Sequence, residues 1–417
     1  MRINSPGFLL YGRLGASALA LISAPIVARA IGPDGRGETA AAVALFSLVP
    51  VLIGMGLPLE LRRVAASEGH AGSIRSSRRL ILASPFFSIP LALVLGATLF
   101  QSFEDDARIA ATIGVALTPL TLSWICDISA LVAARDFLGI VVLQLIQPLV
   151  YLFGVVILWL FDWATTASVI GVYVVANAAS FLFGLHRVGI PRDVPGTSPV
   201  KLMKGAFRFS GGALAESASN RLDQVLALPI IGATQAGLYS VSVTVGLAPL
   251  AIAQALSASS FTSVANADGR ERHRLVRESI RQATSLSFVT ALVLFFLGPS
   301  VVVLLFGNPF ADAAPAIRVS AFSCLFASIA VQASSNLVAL GRARQLAVSQ
   351  LISLGVGITA LLILGPSNGS LGAALASSLG YATLALLAVR SCRASLWSVI
   401  PTPLSFVAGV RVLFRSN

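Results

Sequence analysis

The sequence predicts an all-α polytopic membrane protein, with about twelve transmembrane helices in two six-helix lobes. Three observations point there. Of 417 residues, 56% are apolar and only 11% are charged, against about 25% charged in soluble domains. The apolar residues gather in runs of about 20, enough for a helix to cross a bilayer core. A glycine motif also recurs at an offset of 200 residues.

Twelve spans follow in order, at residues 8–31, 40–62, 80–101, 109–134, 138–160, 165–185, 207–231, 236–261, 283–306, 316–340, 345–365 and 370–389. Backbone groups find no water inside lipid, so each span is expected to be a helix. The first ends in a signal-peptide-like Ala28-Arg29-Ala30. With eleven more spans behind it, it reads as an uncleaved helix. Gly15, Pro25, Pro50, Gly54, Pro119, Gly211, Gly212 and Pro249 interrupt the spans, as in helices that bend during transport, though ordinary membrane helices also tolerate them.

The net charge is +12, and its distribution alternates from one connection to the next. Arginine and lysine cluster at 62–79, at Arg135, at 187–208, at 270–281, at Arg342 and Arg344, and at 390–415. With Arg2 and Arg13 this one side holds 24 of the 29 basic residues. The other connections are neutral or acidic, as in Glu104-Asp105-Asp106. The positive-inside rule therefore puts both termini in the cytoplasm. Basic charge of this kind marks cytoplasmic loops and implies no nucleic acid. Cys126, Cys324 and Cys392 have no paired spacing, and the three histidines lie in basic loops. No metal site and no cofactor is expected.

The repeat sets Ile31-Gly32-x-x-x-x-Gly37 beside Ile231-Gly232-x-x-x-x-Gly237, with Pro50 and Pro249 at nearly the same offset. Six spans per half is even, so the halves share one orientation, with the substrate path between them. The expected organisation is an N-terminal lobe at 1–190, a basic, proline-bearing cytoplasmic linker at 191–205, a C-terminal lobe at 206–390 and a basic tail at 391–417. The tail reads as a surface-lying amphipathic helix.

Ionisable residues at membrane depth are the candidate site. Glu216, Arg221 and Asp223 fall near the middle of the seventh span, and each costs roughly 2.5–3.5 kcal/mol at that depth. About nine large apolar residues, each gaining roughly 0.3–0.6 kcal/mol, do not offset that. Glu216, Asn220 and Asp223 share one helical face through i, i+4, i+7 spacing. Either that face lines a wet cavity, or Arg221 and a carboxylate lock two helices together. Asp127 lies in span four. Arg13, Arg29 and Arg318 lie near span ends, where they either snorkel to the interface or bind an anion. Gln144, Gln147, Asn177, Gln332 and Asn336 read mainly as helix–helix hydrogen-bonding residues. The candidates are thus Arg13, Arg29, Asp127, Glu216, Asn220, Arg221, Asp223 and Arg318, none of them catalytic.

The run Arg29 to Gly37, then Gly54-Met55-Gly56, then Arg62-Arg63, resembles the opening of Wzx-type polysaccharide flippases. These belong to the multidrug/oligosaccharidyl-lipid/polysaccharide exporter superfamily. Arg221-Leu222-Asp223, Ile231-Gly232, Gly237-Leu238-Tyr239 and Gly369-Ser370-Leu371-Gly372 continue the resemblance. It implies two lobes forming a V about a central cavity, and export of a polyprenyl-diphosphate-linked oligosaccharide by alternating access, for cell-surface polysaccharide synthesis. The implied partners are membrane lipid, an anionic lipid-linked glycan and a coupling proton or sodium ion, with the chain acting as a monomer in the cell membrane.

The alternative within the same superfamily is an ion-coupled exporter of cationic drugs, which would favour an acidic, aromatic-lined cavity. The prominence of arginine among the membrane-depth charges argues for the anionic substrate. A membrane glycosyltransferase or polymerase would need a sizeable outer loop carrying carboxylates. No outer connection here exceeds roughly ten residues, so an enzyme is not expected.

Overall fold

The computed structural model describes residues 8–67, 70–191, 198–394 and 400–415. These residues form fifteen α-helices and two short 3₁₀ turns, and no strand occurs among them. The helices are α1 (Phe8–Gly54), α2 (Leu57–Ser67), α3 (His70–Ala83), α4 (Pro85–Ala97), α5 (Asp105–Ala116), α6 (Thr118–Ala134), α7 (Phe137–Leu160), α8 (Thr166–Val188), α9 (Pro199–Ile231), α10 (Ala233–Gly246), α11 (Leu250–Asn266), α12 (Gly269–Phe306), α13 (Ala314–Ala339), α14 (Ala343–Ser391) and α15 (Pro403–Arg415).

Among the described residues seven helical segments are long and apolar enough to cross a membrane, and nine if the bent pairs α5–α6 and α10–α11 each count as one span. Three features account for the difference from twelve. The expected span 8–31 and most of 40–62 run together in α1, the latter breaking at Met55 (φ 43°) and Gly56 (φ 84°) and finishing in α2, and 345–365 and 370–389 run together in α14. Inside these long elements, Gly32 (φ 69°) and Gly369 (φ 53°) leave helical geometry. The third feature is α9, whose middle carries Glu216, Arg221 and Asp223. The bends of 41° and 45° in the paired helices fall at Leu117–Thr118, just before Pro119, and at Leu247–Pro249.

The repeat is visible in backbone geometry. Gly32 takes φ 69°, ψ −176°, and Gly232 takes φ 80°, ψ 166°. A side chain is disfavoured at these angles, so each turn calls for glycine. Gly56 has a second reason. At φ 84° it also meets α9 so closely that a Cβ would sit 2.6 Å from the Ala206 carbonyl oxygen.

The helices group into two compact units, one ending at Val225 and the other beginning at Leu226. The division falls within α9, and α9 itself starts at Pro199, inside the segment expected as linker. In the first unit, Leu202 and Ala206 of α9 pack on Leu57 and Leu61 of α2, Ile81 of α3 and Leu122 and Cys126 of α6. Buried Glu60 reinforces this contact: Arg63 donates to it twice, at 2.9 and 2.7 Å, and the charges of Lys201 and Arg208 also act on it. In the second unit, Val276 and Ile280 of α12 pack on Ile329, Ala333 and Leu337 of α13 and Ala385, Ala388 and Val389 of α14. Alanines at 330, 333, 385 and 388 thread that core, as suits membrane helices that approach closely.

The C-terminal segment does form a helix, α15, docked on α12. The Ser285 and Ser405 hydroxyls meet at 2.6 Å, and Gly409 lies against Gln282. The stretch 395–399, with Trp397 and Val399, lies outside the described residues.

Candidate functional site

The buried charge of α6 is already partnered. Arg78 Nη2 donates to Asp127 Oδ1 at 2.6 Å and Nη1 donates to Ser123 Oγ at 2.5 Å. Arg78 and Asp127 are both buried, and Gly184 of α8 closes over Asp127 Oδ2. The sequence places Arg78 and Ser76 in a cytoplasmic connection. The structure instead buries both within α3. The signal was the helical phase: Ile74, Arg78 and Ile81 follow i, i+4, i+7 and share the inward face.

Asp127 therefore differs from the α9 candidates, which are open. Glu216, Asn220 and Arg221 are exposed, and Asp223 is half-buried with Oδ1 accepting from the Gln224 N–H at 2.8 Å. Gly212, Glu216 and Asn220 are all exposed and fall at successive i, i+4 positions. The Arg221 charge acts on Tyr173 of α8. Tyr173 hydrogen-bonds Ser47 and Asn177, and its ring meets Tyr151 of α7 edge-on at 5.4 Å. Tyr151 in turn feels the charge of Arg36. Asn177 Oδ1 accepts from Thr121 Oγ1 and Trp124 Nε1, both at 3.2 Å, so it ties α6 to α8 as expected of an interhelical amide. Sequence reasoning missed Arg36, Tyr151 and Tyr173. Arg36 falls between the expected spans 8–31 and 40–62, and single tyrosines carry no periodic signal.

Arg13 is exposed on α1, and its charge acts on Arg62 of α2. Arg29 is exposed on the same helix as Arg13. Arg318 belongs to the second unit, where its guanidinium stands over the Phe295 ring at 5.9 Å. The structure thus places Arg221 with a tyrosine pair, Arg13 with Arg62, and Asp127 in a closed ion pair.

In the second unit Gln332 Nε2 donates to Ser260 Oγ at 3.0 Å, and Asn336 Nδ2 donates to Ser279 Oγ at 3.1 Å. These amides knit α13 to α11 and α12. A recess of about 10 Å³ in the first unit is lined by Phe46, Gly114, Leu117, Thr121, Val174 and Asn177. That is room for about one water molecule, so it reads as a packing gap. Among the described residues no three His, Cys, Asp or Glu side chains are grouped to hold a metal.

The profile of a family described as polysaccharide biosynthesis protein matches residues 7–261. No curated protein sequence matches. Among solved structures, the lipid II flippase MurJ in an inward closed conformation is similar at a TM-score of 0.76, with 14% identity over 97% of this chain and 91% of that one. An inward-facing multidrug resistance MATE family transporter of the MOP superfamily reaches 0.68, with 13% identity over 96% of each chain. The eukaryotic MATE transporter AtDTX14 reaches 0.62, with 16% identity over 97% of each.

Proposed function

This chain belongs to the polysaccharide biosynthesis protein family, and from that premise we propose that it moves a polyprenyl-diphosphate-linked oligosaccharide across the cytoplasmic membrane by alternating access, supplying cell-surface polysaccharide. It is a multi-pass membrane transporter of the flippase type and not an enzyme. The fold is shared with a lipid II flippase and with multidrug transporters alike, so the choice of substrate rests on the chain's own charges.

What supports the reading is that Arg13 and Arg62 are both exposed on α1 and α2, with the Arg13 charge acting on Arg62 second to the effect of partial burial. A bound anion would relieve that repulsion. A diphosphate suits the pair, because each guanidinium presents a planar fork of donors to phosphate oxygens and stays charged at any working pH. Arg221, whose charge acts on Tyr173, and Arg36, whose charge acts on Tyr151, extend the same chemistry within the first unit. Asp127, by contrast, is neutralised by Arg78, which removes one carboxylate that a cationic drug would use. The exposed polar face of α9 supplies partners for glycan hydroxyls. A proton or sodium ion is the proposed coupling ion, and the chain works as a monomer.

Proteoliposomes carrying a fluorescent polyprenyl-diphosphate oligosaccharide test this directly. The intact chain should move the label between leaflets, and Arg13→Gln with Arg62→Gln should slow it at least tenfold. Efficient efflux of a cationic dye without glycan movement would overturn the substrate. Orientation is tested separately by cysteines at exposed positions. Those at Ser102 and Asn308 should react with an impermeant thiol reagent from outside, and one at Ser198 only after permeabilisation. The reverse pattern would invert the proposed direction.

A further inference from the structure

The second unit contains one continuous helix that records where water ends and lipid begins. α12 is 38 residues long, roughly 57 Å at 1.5 Å per residue. Its exposed side chains change character along that length. Up to Arg281 they are charged or polar: Arg270, Arg274 and Arg277 are exposed and Arg281 partly so. From Phe288 onward they are apolar, with Phe296 71% and Leu297 57% exposed. Phe288 to Phe306 spans roughly 28 Å, close to the ~30 Å thickness of a hydrocarbon core. The stretch before Phe288 therefore stands in the headgroup layer and the water beyond it.

A second element marks the same level independently. α15 docks on α12 at Gln282 and Ser285, between the arginines and the apolar stretch. It turns Ser405 and Gly409 inward and leaves Leu404 84% exposed and Val407 45% exposed. An amphipathic helix with outward leucine and valine suits a lipid interface. The arginines at 270, 274, 277 and 281 recur at i, i+4, i+7 and i+11, so they form one stripe that begins at the level of α15 and rises from it. Arg390 and Arg393 are exposed at the same end of the unit, since neighbouring Val389 and Cys392 pack with Val276 and Ile280.

We propose that this elbow, where the arginine stripe of α12 meets α15, is a docking site for the phosphate headgroups of anionic membrane phospholipids. Arg274 pairs with Glu278 at 2.9 Å and Glu271 at 3.8 Å, and Arg277 Nε donates to the His273 carbonyl at 3.3 Å. Arg281 and Arg277 are the principal contacts because they stand nearest the interface, one and two turns from Ser285 on the aqueous side. The attraction is that of a basic segment held within a Debye length of a negative surface. The site is separate from the groups assigned to the transported substrate, all of which lie in the first unit. Its occupant is a resident lipid.

The test uses the full chain purified in detergent, with labelled phosphatidylglycerol and labelled phosphatidylcholine as probes, and measures bound lipid against concentration. Phosphatidylglycerol should bind saturably and more tightly, and the preference should shrink as salt rises. Arg277→Gln with Arg281→Gln should weaken phosphatidylglycerol binding roughly thirty-fold, taking the usual contribution of each basic residue near an anionic surface. Arg277→Lys with Arg281→Lys should retain most of it, because the charge is kept. Equal binding of both lipids would overturn the site and leave the stripe to an acidic protein partner. An equal loss in the lysine and glutamine variants would also overturn it, by assigning the loss to damaged folding.

Discussion

Arg78→Ala or Asp127→Ala should each remove most of the chain from the membrane. The two groups meet at 2.6 Å with both side chains under 10% exposed. Removing one partner strands the other charge in a dry setting, at a cost of roughly 3–5 kcal/mol. That is a large part of the roughly 5–15 kcal/mol that holds a typical protein folded. Replacing both at once, as Arg78→Met with Asp127→Leu, should restore abundance, because well-packed apolar groups substitute for buried ion pairs at little cost. Quantitative blots of membrane fractions alongside glycan export separate the possibilities. Restored abundance with restored export makes the pair purely structural. Restored abundance without export would return Asp127 to the transport machinery.

Arg221→Ala should behave in the opposite way, with normal abundance and export reduced roughly 10- to 150-fold, the range expected when a charge-assisted contact worth about 1.5–3 kcal/mol is lost. Arg221 is exposed, so its removal leaves no buried cavity. Arg221→Lys should rescue only in part, since an ammonium lacks the planar fork. Glu216 and Asp223 stand five and two residues away, which is poor geometry for pairing within one helix. Full recovery of export in Arg221→Ala with Asp223→Ala, or with Glu216→Ala, would show that the arginine is half of a structural pair and sink the ligand reading.

The contrast between Arg78 and Arg221 shows what the sequence made legible. Span positions follow from hydropathy, so the helices of both units were largely foreseen. The glycine repeat identified two backbone turns before their dihedral angles were known. The α9 charges stood out because nothing around them in the chain could compensate them. Arg78 did not stand out, because Arg79 and Arg75 beside it look like an ordinary basic loop. Its partner lies 49 residues away, and which of two adjacent arginines turns inward depends on the phase of a helix whose ends hydropathy does not define. The tyrosine pair is further from reach still. Tyr151 and Tyr173 come together only because α7 and α8 pack antiparallel across a short turn, fixed by the Thr165–Ser168 capping box.

The small-residue core of α13 bears on how this chain tolerates inherited change. Ala316, Ser320, Ala321, Ser323, Cys324, Ala327, Ser328, Ala330 and Ala333 are all buried. At Ser320 the neighbour is Gly246, where even one added carbon would lie 2.4 Å from the serine Cβ. Most core positions are damaged by substitutions that remove atoms, but almost every missense change at these nine positions adds them. Overfilling a packed interior costs typically about 1–3 kcal/mol. This stripe of α13 is therefore a one-sided mutational target, which drift can burden by enlargement and scarcely by truncation.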